Sequence, residues 1–494
     1  MKKFIFYSYL IAISFFSLNA ISAELLSNTP TATAKVGTQP AAIFPNPNQD
    51  YGTLNVFCIG KDFDWNGNLD EDDIAMSWWK IKNVAEANPN NTTPDELKAE
   101  KVIEWESFGR FPARTYSSEF DNEFPIIFDN YILLYEIESA KLIDTIKVAN
   151  VNAVSAAGKY RYLSIRIYGN PENPYSPTEN QVLIYNTETK EVEDTIKTQA
   201  TNVQQTLPYF NEQTNENLLA VLCEGEQNKG SAVEFYNLST KELKKSIELG
   251  NTGNFLLFSM LEYKLGGNNT IKLPLLTVVI NGEHKVQVID ANTLSTDIPI
   301  FALAGIPTEY PIPTEGYNGP RELATNSKAE FYVTAYDGKI YKFSPVKTGA
   351  QATEIVVANE GVPESITAPE NPDNATKVEF AFTNIYKGVG TYTPNDEVVV
   401  VYQNDGSINS TQETASLFPN PIKNKAIVNI PTSLGETINV EVLDLLGNKI
   451  QIIENVNVSN NSFELDINEN LSTGYYVLNL IGKTNNITLK FIKK

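Results

Sequence analysis

Leu54-Asn55-Val56-Phe57-Cys58-Ile59-Gly60 alternates apolar side chains with a period of two and stops on a glycine. Alternation of that kind belongs to a strand, and the glycine marks a turn that needs a permissive backbone. The same spacing returns in Leu163-x-Ile165-x-Ile167-x-Gly169, Leu219-x-Val221-x-Cys223-x-Gly225 and Leu276-x-Val278-x-Ile280-x-Gly282. Two looser copies are Tyr332-x-Thr334-x-Tyr336-x-Gly338 and Val400-x-Tyr402-x-Asn404-x-Gly406. Six copies of one strand signal a repeat architecture.

A second element recurs beside the first. Ile132 to Ile137 leads through a polar turn to Leu142-Ile143-Asp144-Thr145-Ile146. Val182-Leu183-Ile184-Tyr185-Asn186 and Val233-Glu234-Phe235-Tyr236-Asn237 do the same at steps of about 50 residues. Weaker copies run Val286 to Leu294 and Ile340 to Gly349. These read as antiparallel hairpins. A glycine-ended strand, a hairpin and one further strand make four strands per unit, the mark of a β-propeller blade. One such sheet cannot cover both its faces, whereas neighbours packed around an axis can. The glycine-ended strands predict a six-bladed, all-β propeller, with five and seven as neighbouring counts. An N-terminal strand from residues 31–46 is expected to complete the last blade and close the ring. The hairpins resemble those of YVTN/YncE-like and quinoprotein-like propellers over residues 130–350, a likeness that speaks to fold and little to activity.

Residues 61–129 differ in character and read as a partly helical insertion. A helix is expected over Asp72 to Ala87 and a second over Pro94 to Glu106. Trp78, Trp79 and Trp105 are expected to form that insertion's core against the propeller rather than a sugar platform.

The sharpest chemical motif opens this segment. Asp62-x-Asp64-x-Asn66-Gly67-Asn68-Leu69-Asp70-x-x-Asp73 fits a calcium loop. Asp62, Asp64 and Asn66 take positions one, three and five, and Gly67 the tight turn. Asn68 offers its carbonyl, Asp70 sits at nine and Asp73 at twelve. Calcium here is expected to be structural, bracing the insertion against the propeller. The entering element is a strand, so this is a calcium loop without the flanking helices of an EF-hand.

Charge and composition narrow the partners. The net charge is −22, which repels nucleic acid and anionic membrane surfaces. A single histidine, His284, leaves little room for imidazole catalysis or histidine-ligated zinc. Cys58 and Cys223 occupy equivalent repeat positions in different units, too far apart to bridge, and are expected to be free and buried. Lys2 and Lys3, an apolar run from Phe4 to Leu18 and small residues up to Ala23 read as a secretory signal peptide over residues 1–23. No later stretch has the length of a transmembrane helix.

From Ser416 a small all-β unit is expected, with strands at Lys425 to Ile430, Ile438 to Leu443, Asn448 to Ile453, Phe463 to Ile467, Tyr475 to Ile481 and Ile487 to Ile492. Its signature residues are Phe418-Pro419-Asn420-Pro421, the block Val442 to Gly447 with Asp444, and Leu471-Ser472-x-Gly474-Tyr475-Tyr476. Residues 416–494 resemble a type A C-terminal sorting domain of the type IX secretion system. The resemblance implies export across the outer membrane of a Gram-negative bacterium by that machinery, and release or attachment at the cell surface. The propeller then occupies residues 24–415, with a small β-sandwich following.

In a propeller, loops leaving the second strand and loops entering the next blade share one face. That places the segment from residue 61, the loop at Asn170 to Asn180 and the loop at Ile306 to Arg321 together, with Tyr175, Tyr310, Tyr317 and Arg321 bordering a recognition surface. The expected function is non-catalytic binding of an extracellular glycan or protein. The alternative is a secreted polysaccharide-degrading enzyme, which requires carboxylates or a Tyr–Arg pair converging in the central channel.

Overall fold

The structure, a computed structural model, describes residues 24–25, 31–46, 50–64, 69–84, 95–108, 122–166, 168–170, 173–177, 180–226, 230–264, 270–326, 330–344, 353–356, 361–369, 378–402, 416–418, 422–430, 434–435, 437–443, 449–459, 462–468, 471–472, 474–482 and 486–493. The signal-peptide residues 1–23 lie outside this set. The chain divides into two compact units, Met1–Asn404 and Asp405–Lys494.

Among the described residues the first unit holds seven sheets of three to five strands and one separate hairpin. Blade 1 runs Pro40–Asn46, Asp50–Cys58, Ser77–Lys82 and Ala99–Glu104. Blade 2 is Glu123–Ile127, Ile132–Glu136 and Lys141–Ile146. Blade 3 is Val151–Ala157, Tyr160–Ile165, Gln181–Asn186 and Glu191–Lys197. Blade 4 is Val203–Asn211, Glu216–Cys223, Ser231–Asn237 and Leu243–Gly250. Blade 5 is Gly253–Lys264, Thr270–Ile280, Lys285–Asp290 and Glu309–Pro311. Blade 6 is Pro320–Thr325, Phe331–Ala335, Ile340–Phe343 and Thr353–Val356. Blade 7 is Val362–Thr367, Val378–Tyr386 and Pro394–Tyr402, completed by Thr31–Lys35 from the other end of the chain.

Each neighbouring pair of blades shares one apolar core. Phe57, Trp78 and Phe124 join blades 1 and 2, and Leu134 meets Leu163 between blades 2 and 3. Ile184 meets Val221, Phe235 meets Leu276, and Phe255 meets Phe331 at the next three interfaces. Tyr332 meets Phe380 between blades 6 and 7, and Ala34 and Val400 meet Leu54 between blades 7 and 1. Seven sheets with seven shared cores form a closed ring, the β-propeller architecture.

The closing strand pairs antiparallel with Pro394–Tyr402, Ala34 opposite Val398. Its other edge takes Asp95–Leu97 in parallel. Glu24–Leu25 pairs in parallel with Ile355 and Val356 at the rim of blade 6. The N-terminal segment thus binds two blades.

Among the described residues seven blades are present, one more than the glycine-ended strands predict and within the neighbouring counts of five and seven. Blade 2 carries no such copy because Glu123–Ile127, the strand before its hairpin, turns without glycine: the Phe128 N–H donates to the Tyr131 carbonyl at 2.9 Å. The copy Val400-x-Tyr402 is a third strand, not a second. The expected insertion is also corrected. Ser77–Lys82 and Ala99–Glu104 are the third and fourth strands of blade 1, and Glu123–Ile127 opens blade 2. No α-helix is present among the described residues of the two predicted spans. Trp78 is buried on blade 2, while Lys80 and Ile81 are buried as well, so neither sheet face alternates cleanly. Lys80 is stapled across the interface, its Nζ donating to the carbonyls of Ile137 and Glu138 at 2.7 and 2.8 Å.

The second unit has two antiparallel sheets, Ser416–Phe418, Lys425–Asn429 and Ser462–Asp466 in one, Lys449–Asn457, Thr437–Leu443, Gly474–Ile481 and Asn486–Lys493 in the other. Val428, Leu465, Val440, Leu478 and Phe491 fill one core between them. Lys425–Asn429 buries alternate residues, as a strand with one wet face must.

Candidate functional site

The propeller repeats one hydrogen bond at a single end of its blades. The chain leaving a second strand donates to the chain entering the inner strand of the same blade. Gly60 bonds Thr38, Arg166 bonds Asn150, Gly225 bonds Thr201 and Tyr336 bonds Gly319, at 2.9–3.3 Å. Gln39, Asn150 and Asn202 turn through positive φ of 54°, 60° and 64° just before the inner strands. These bonds gather the loops after second strands and the loops before inner strands onto one face.

The calcium-type loop leaves blade 1 on that face. Gly60 has φ +76°, and a Cβ there would stand 2.1 Å from the Ile74 carbonyl oxygen, so only glycine fits. Lys61 and Ile74 then close the loop with paired backbone bonds of 2.8 and 2.9 Å. Inside it, carboxylate oxygens of Asp62, Asp64 and Asp73 all lie within 4.8 Å of one another. Asp73 is held by two backbone donors, Phe63 N–H to Oδ1 at 2.8 Å and Asp70 N–H to Oδ2 at 3.1 Å. Asp70 itself stands outside the triad and accepts from the Asp72 N–H at 3.3 Å. Asn66 and Asn68 lie outside the described residues. Three carboxylates gathered this closely suit a hard divalent cation, which takes oxygen ligands.

A second cluster occupies the mouth of the ring on the same face. Arg166, just past the second strand of blade 3, donates to Glu224 Oε2 at 3.0 Å and to Gln204 Oε1 at 3.2 Å. Asn202 donates to the same Glu224 oxygen at 2.7 Å. Arg321, on the inner strand of blade 6, meets Glu364 Oε1 of blade 7 at 3.5 Å. Its guanidinium stacks 4.6 Å from the Tyr336 ring. Burial works against the Arg321 charge, but the Glu364 carboxylate, followed by Tyr336 and Glu224, holds its pKa above the ordinary range. Tyr336, Tyr386 and Tyr392 continue as an edge-to-face ladder, with centroids 6.4 and 5.5 Å apart. Burial, then the Glu364 charge, raises the Tyr386 pKa. Tyr392 ends the ladder in solvent, 68% exposed.

The four residues expected to border a recognition surface fare differently. Arg321 lies in the mouth, and Tyr317 stands 95% exposed on the loop before blade 6. Tyr310 is corrected: it is fully buried and stacks 4.2 Å from Phe343 inside the core of blades 5 and 6. The short strand Glu309–Pro311 supplies the fourth strand of blade 5, and its middle residue points inward. Tyr175 belongs to the strand Asn173–Pro177 of the separate hairpin. Trp78 and Trp105 are core, the Trp105 indole donating to the Tyr135 hydroxyl at 3.2 Å. His284 bonds Thr314 Oγ1 through Nδ1 at 2.8 Å. The mouth residues Glu224, Tyr336, Glu364, Tyr386 and Tyr392 escaped sequence reasoning, although Tyr336 sits inside a quoted glycine-ended strand.

In the tail, Phe418 ends the first strand and Gly474 pairs with Lys493. Pro419, Asn420, Pro421, Asp444 and Gly447 lie outside the described residues. Among the described residues, no helix is long and apolar enough to cross a membrane.

No curated protein matches the chain in sequence. Among solved structures, hydrazine synthase of Kuenenia stuttgartiensis is 10% identical, with TM-score 0.43, over 74% of this chain and 96% of that one. The Cps50 (Swd1) β-propeller domain of Myceliophteria thermophila is 9% identical, with TM-score 0.45, over 76% and 99%. The WD40 domain of Neurospora crassa Pan2 is 11% identical, with TM-score 0.43, over 77% and 98%. Residues 416–494 match the family model of the secretion system C-terminal sorting domain, so the chain carries the tail of type IX export and is delivered to the outer cell surface or beyond.

Proposed function

We propose that this exported propeller is a binding module that holds an extracellular ligand, a glycan or a protein, on its loop face without turning it over. The observation that carries this reading is the composition of the mouth. Among the described residues, the two carboxylates at the mouth each face a guanidinium, Glu224 with Arg166 and Glu364 with Arg321, while the deeper Glu322 accepts from Ser365 and the Ile366 N–H. A glycosidase needs a carboxyl that arrives at the glycosidic oxygen still carrying its proton. Ion-paired carboxylates serve instead as fixed acceptors for a ligand's hydroxyl or amide donors. Rigid strands carry these groups, which favours recognition by a preformed surface.

Calcium belongs to the same reading. Asp62, Asp64 and Asp73 would hold the ion, and the loop they close lies on the binding face. The ion would fix that loop by offsetting the repulsion among three carboxylates.

The test incubates the purified full-length protein with an immobilised panel of glycans and surface proteins. Soluble polysaccharides are assayed in parallel for newly released reducing ends. Retention without release supports the reading. Release of reducing ends identifies the polysaccharide-degrading enzyme instead and overturns it.

A further inference from the structure

Resting on the binding reading above, we infer that the channel mouth takes a neutral saccharide, with Arg321 and Tyr392 as its principal contacts. The argument begins with charge. Arg166 and Arg321 stand against Glu224 and Glu364, two of each sign, in a chain whose net charge is −22. The overall field disfavours an anionic ligand, and in these two ion pairs each guanidinium is already matched by a carboxylate. A balanced set of forked donors and fixed acceptors matches vicinal hydroxyls, each of which both donates and accepts.

Accessibility points the same way. Arg321 keeps 29% of its side chain exposed, Glu224 24% and Arg166 19%, so these three are held firmly yet remain reachable, while Glu364 is buried behind Arg321 and serves to fix it. The aromatic ladder supplies what sugars need besides hydrogen bonds. Tyr336 is already covered by Arg321, while Tyr392 ends the ladder in solvent and leaves its ring free for the C–H face of a pyranose.

The Tyr392 backbone is left-handed. It holds φ +52° in a loop with Gly390 at +73°, a conformation that a bulky residue adopts at a cost. In this turn the ring stands edge-to-face with Tyr386, centroids 5.5 Å apart.

The experiment is calorimetric titration of the full-length protein with neutral gluco-, manno- and galacto-oligosaccharides and with an oligogalacturonate. Each is measured at about 50 mM and about 500 mM NaCl. The expected result is binding of a neutral oligosaccharide with an affinity that changes less than about twofold with salt. Tyr392→Asn, which tolerates the same backbone, should weaken it about fivefold or more without lowering the melting temperature. Arg321→Lys, which loses the planar fork, should weaken it about tenfold. Lys190→Ala, in the exposed turn between Gln181–Asn186 and Glu191–Lys197 of blade 3, should leave it unchanged.

Preference for the oligogalacturonate, no binding to any neutral oligosaccharide, or neutral binding indifferent to both mouth substitutions overturns the inference. Binding of surface proteins alone also overturns it but leaves the wider binding reading standing. Release of reducing ends removes that reading as well.

Discussion

Lys35 and Asp396 are 361 residues apart in the chain, yet Lys35 Nζ lies 2.9 Å from Asp396 Oδ1. The pair marks the seam where the N-terminal strand completes blade 7. Both side chains are largely exposed, and such a pair is worth about 0–1 kcal/mol. Closure depends instead on Ala32 and Ala34, which are fully buried between blades 7 and 1. Lys35→Ala should therefore change stability by less than about 1 kcal/mol. Ala34→Asp buries an unpaired carboxylate and should destabilise by about 3 kcal/mol or more. Thermal melts of the two variants measure the contrast, and equal losses would contradict it.

Calcium at millimolar concentration should raise the melting temperature of the wild type, and chelation should reverse the rise. A ligand at about one hundred times its Kd adds about 2.7 kcal/mol to the folded state. Asp62→Asn with Asp73→Asn should remove the response, since these residues supply two of the three gathered carboxylates. Gly60→Ala should distort the loop, because its Cβ would strike the Ile74 carbonyl. Magnesium, which demands tighter octahedral geometry, should give a smaller shift.

Alkali should destabilise the propeller. Burial raises the pKa of Cys58 and Cys223, and burial first among other causes raises those of Tyr209, Tyr236 and Tyr332. These groups keep their protons in the folded chain at a pH where the unfolded chain has lost them. The folded state then binds more protons, so stability falls as pH climbs above the ordinary thiol value of about 8.5 and on through the phenol value of about 10. Melts from pH 7 upward measure the slope. Both thiols should resist a disulfide reagent at pH 8 until the protein unfolds, because both cysteines are fully buried and free.

Deleting residues 416–494 should stop delivery and leave the propeller in the periplasm. Val440→Asp tests the same point by unfolding the tail, since Val440 is fully buried in its core. Cell fractionation gives the answer. Normal surface delivery of either variant would contradict the assignment of the tail.

The gathering of Asp62, Asp64 and Asp73 was legible in the sequence because the three are near neighbours in the chain and their spacing sets their geometry. The propeller was legible because strand and hairpin recur at a fixed step. Blade 2 was hidden because Phe128 and Tyr131 close its turn without glycine. The strand Ser77–Lys82 was hidden because both of its faces are buried, which erases alternation, and because Lys80 is an unusual core residue. The mouth left no local signal. Arg166 and Glu224 come from blades 3 and 4, Arg321 and Glu364 from blades 6 and 7, and only the packing of one blade on the next makes each pair. Tyr310 misled for the opposite reason: a tyrosine in a proline-rich loop looked solvent-facing, but three residues of strand pairing turn its ring inward.

The seam at Thr31–Lys35 also sets a rule for synthesis. That strand is made almost first, and its antiparallel neighbour Pro394–Tyr402 is made almost last among the blades. A polypeptide interrupted anywhere earlier carries two raw sheet margins whose main-chain donors and acceptors invite other chains. Incomplete products are therefore sticky and conspicuous to proteases, and only molecules whose translation reached the final blade can present a finished surface for export.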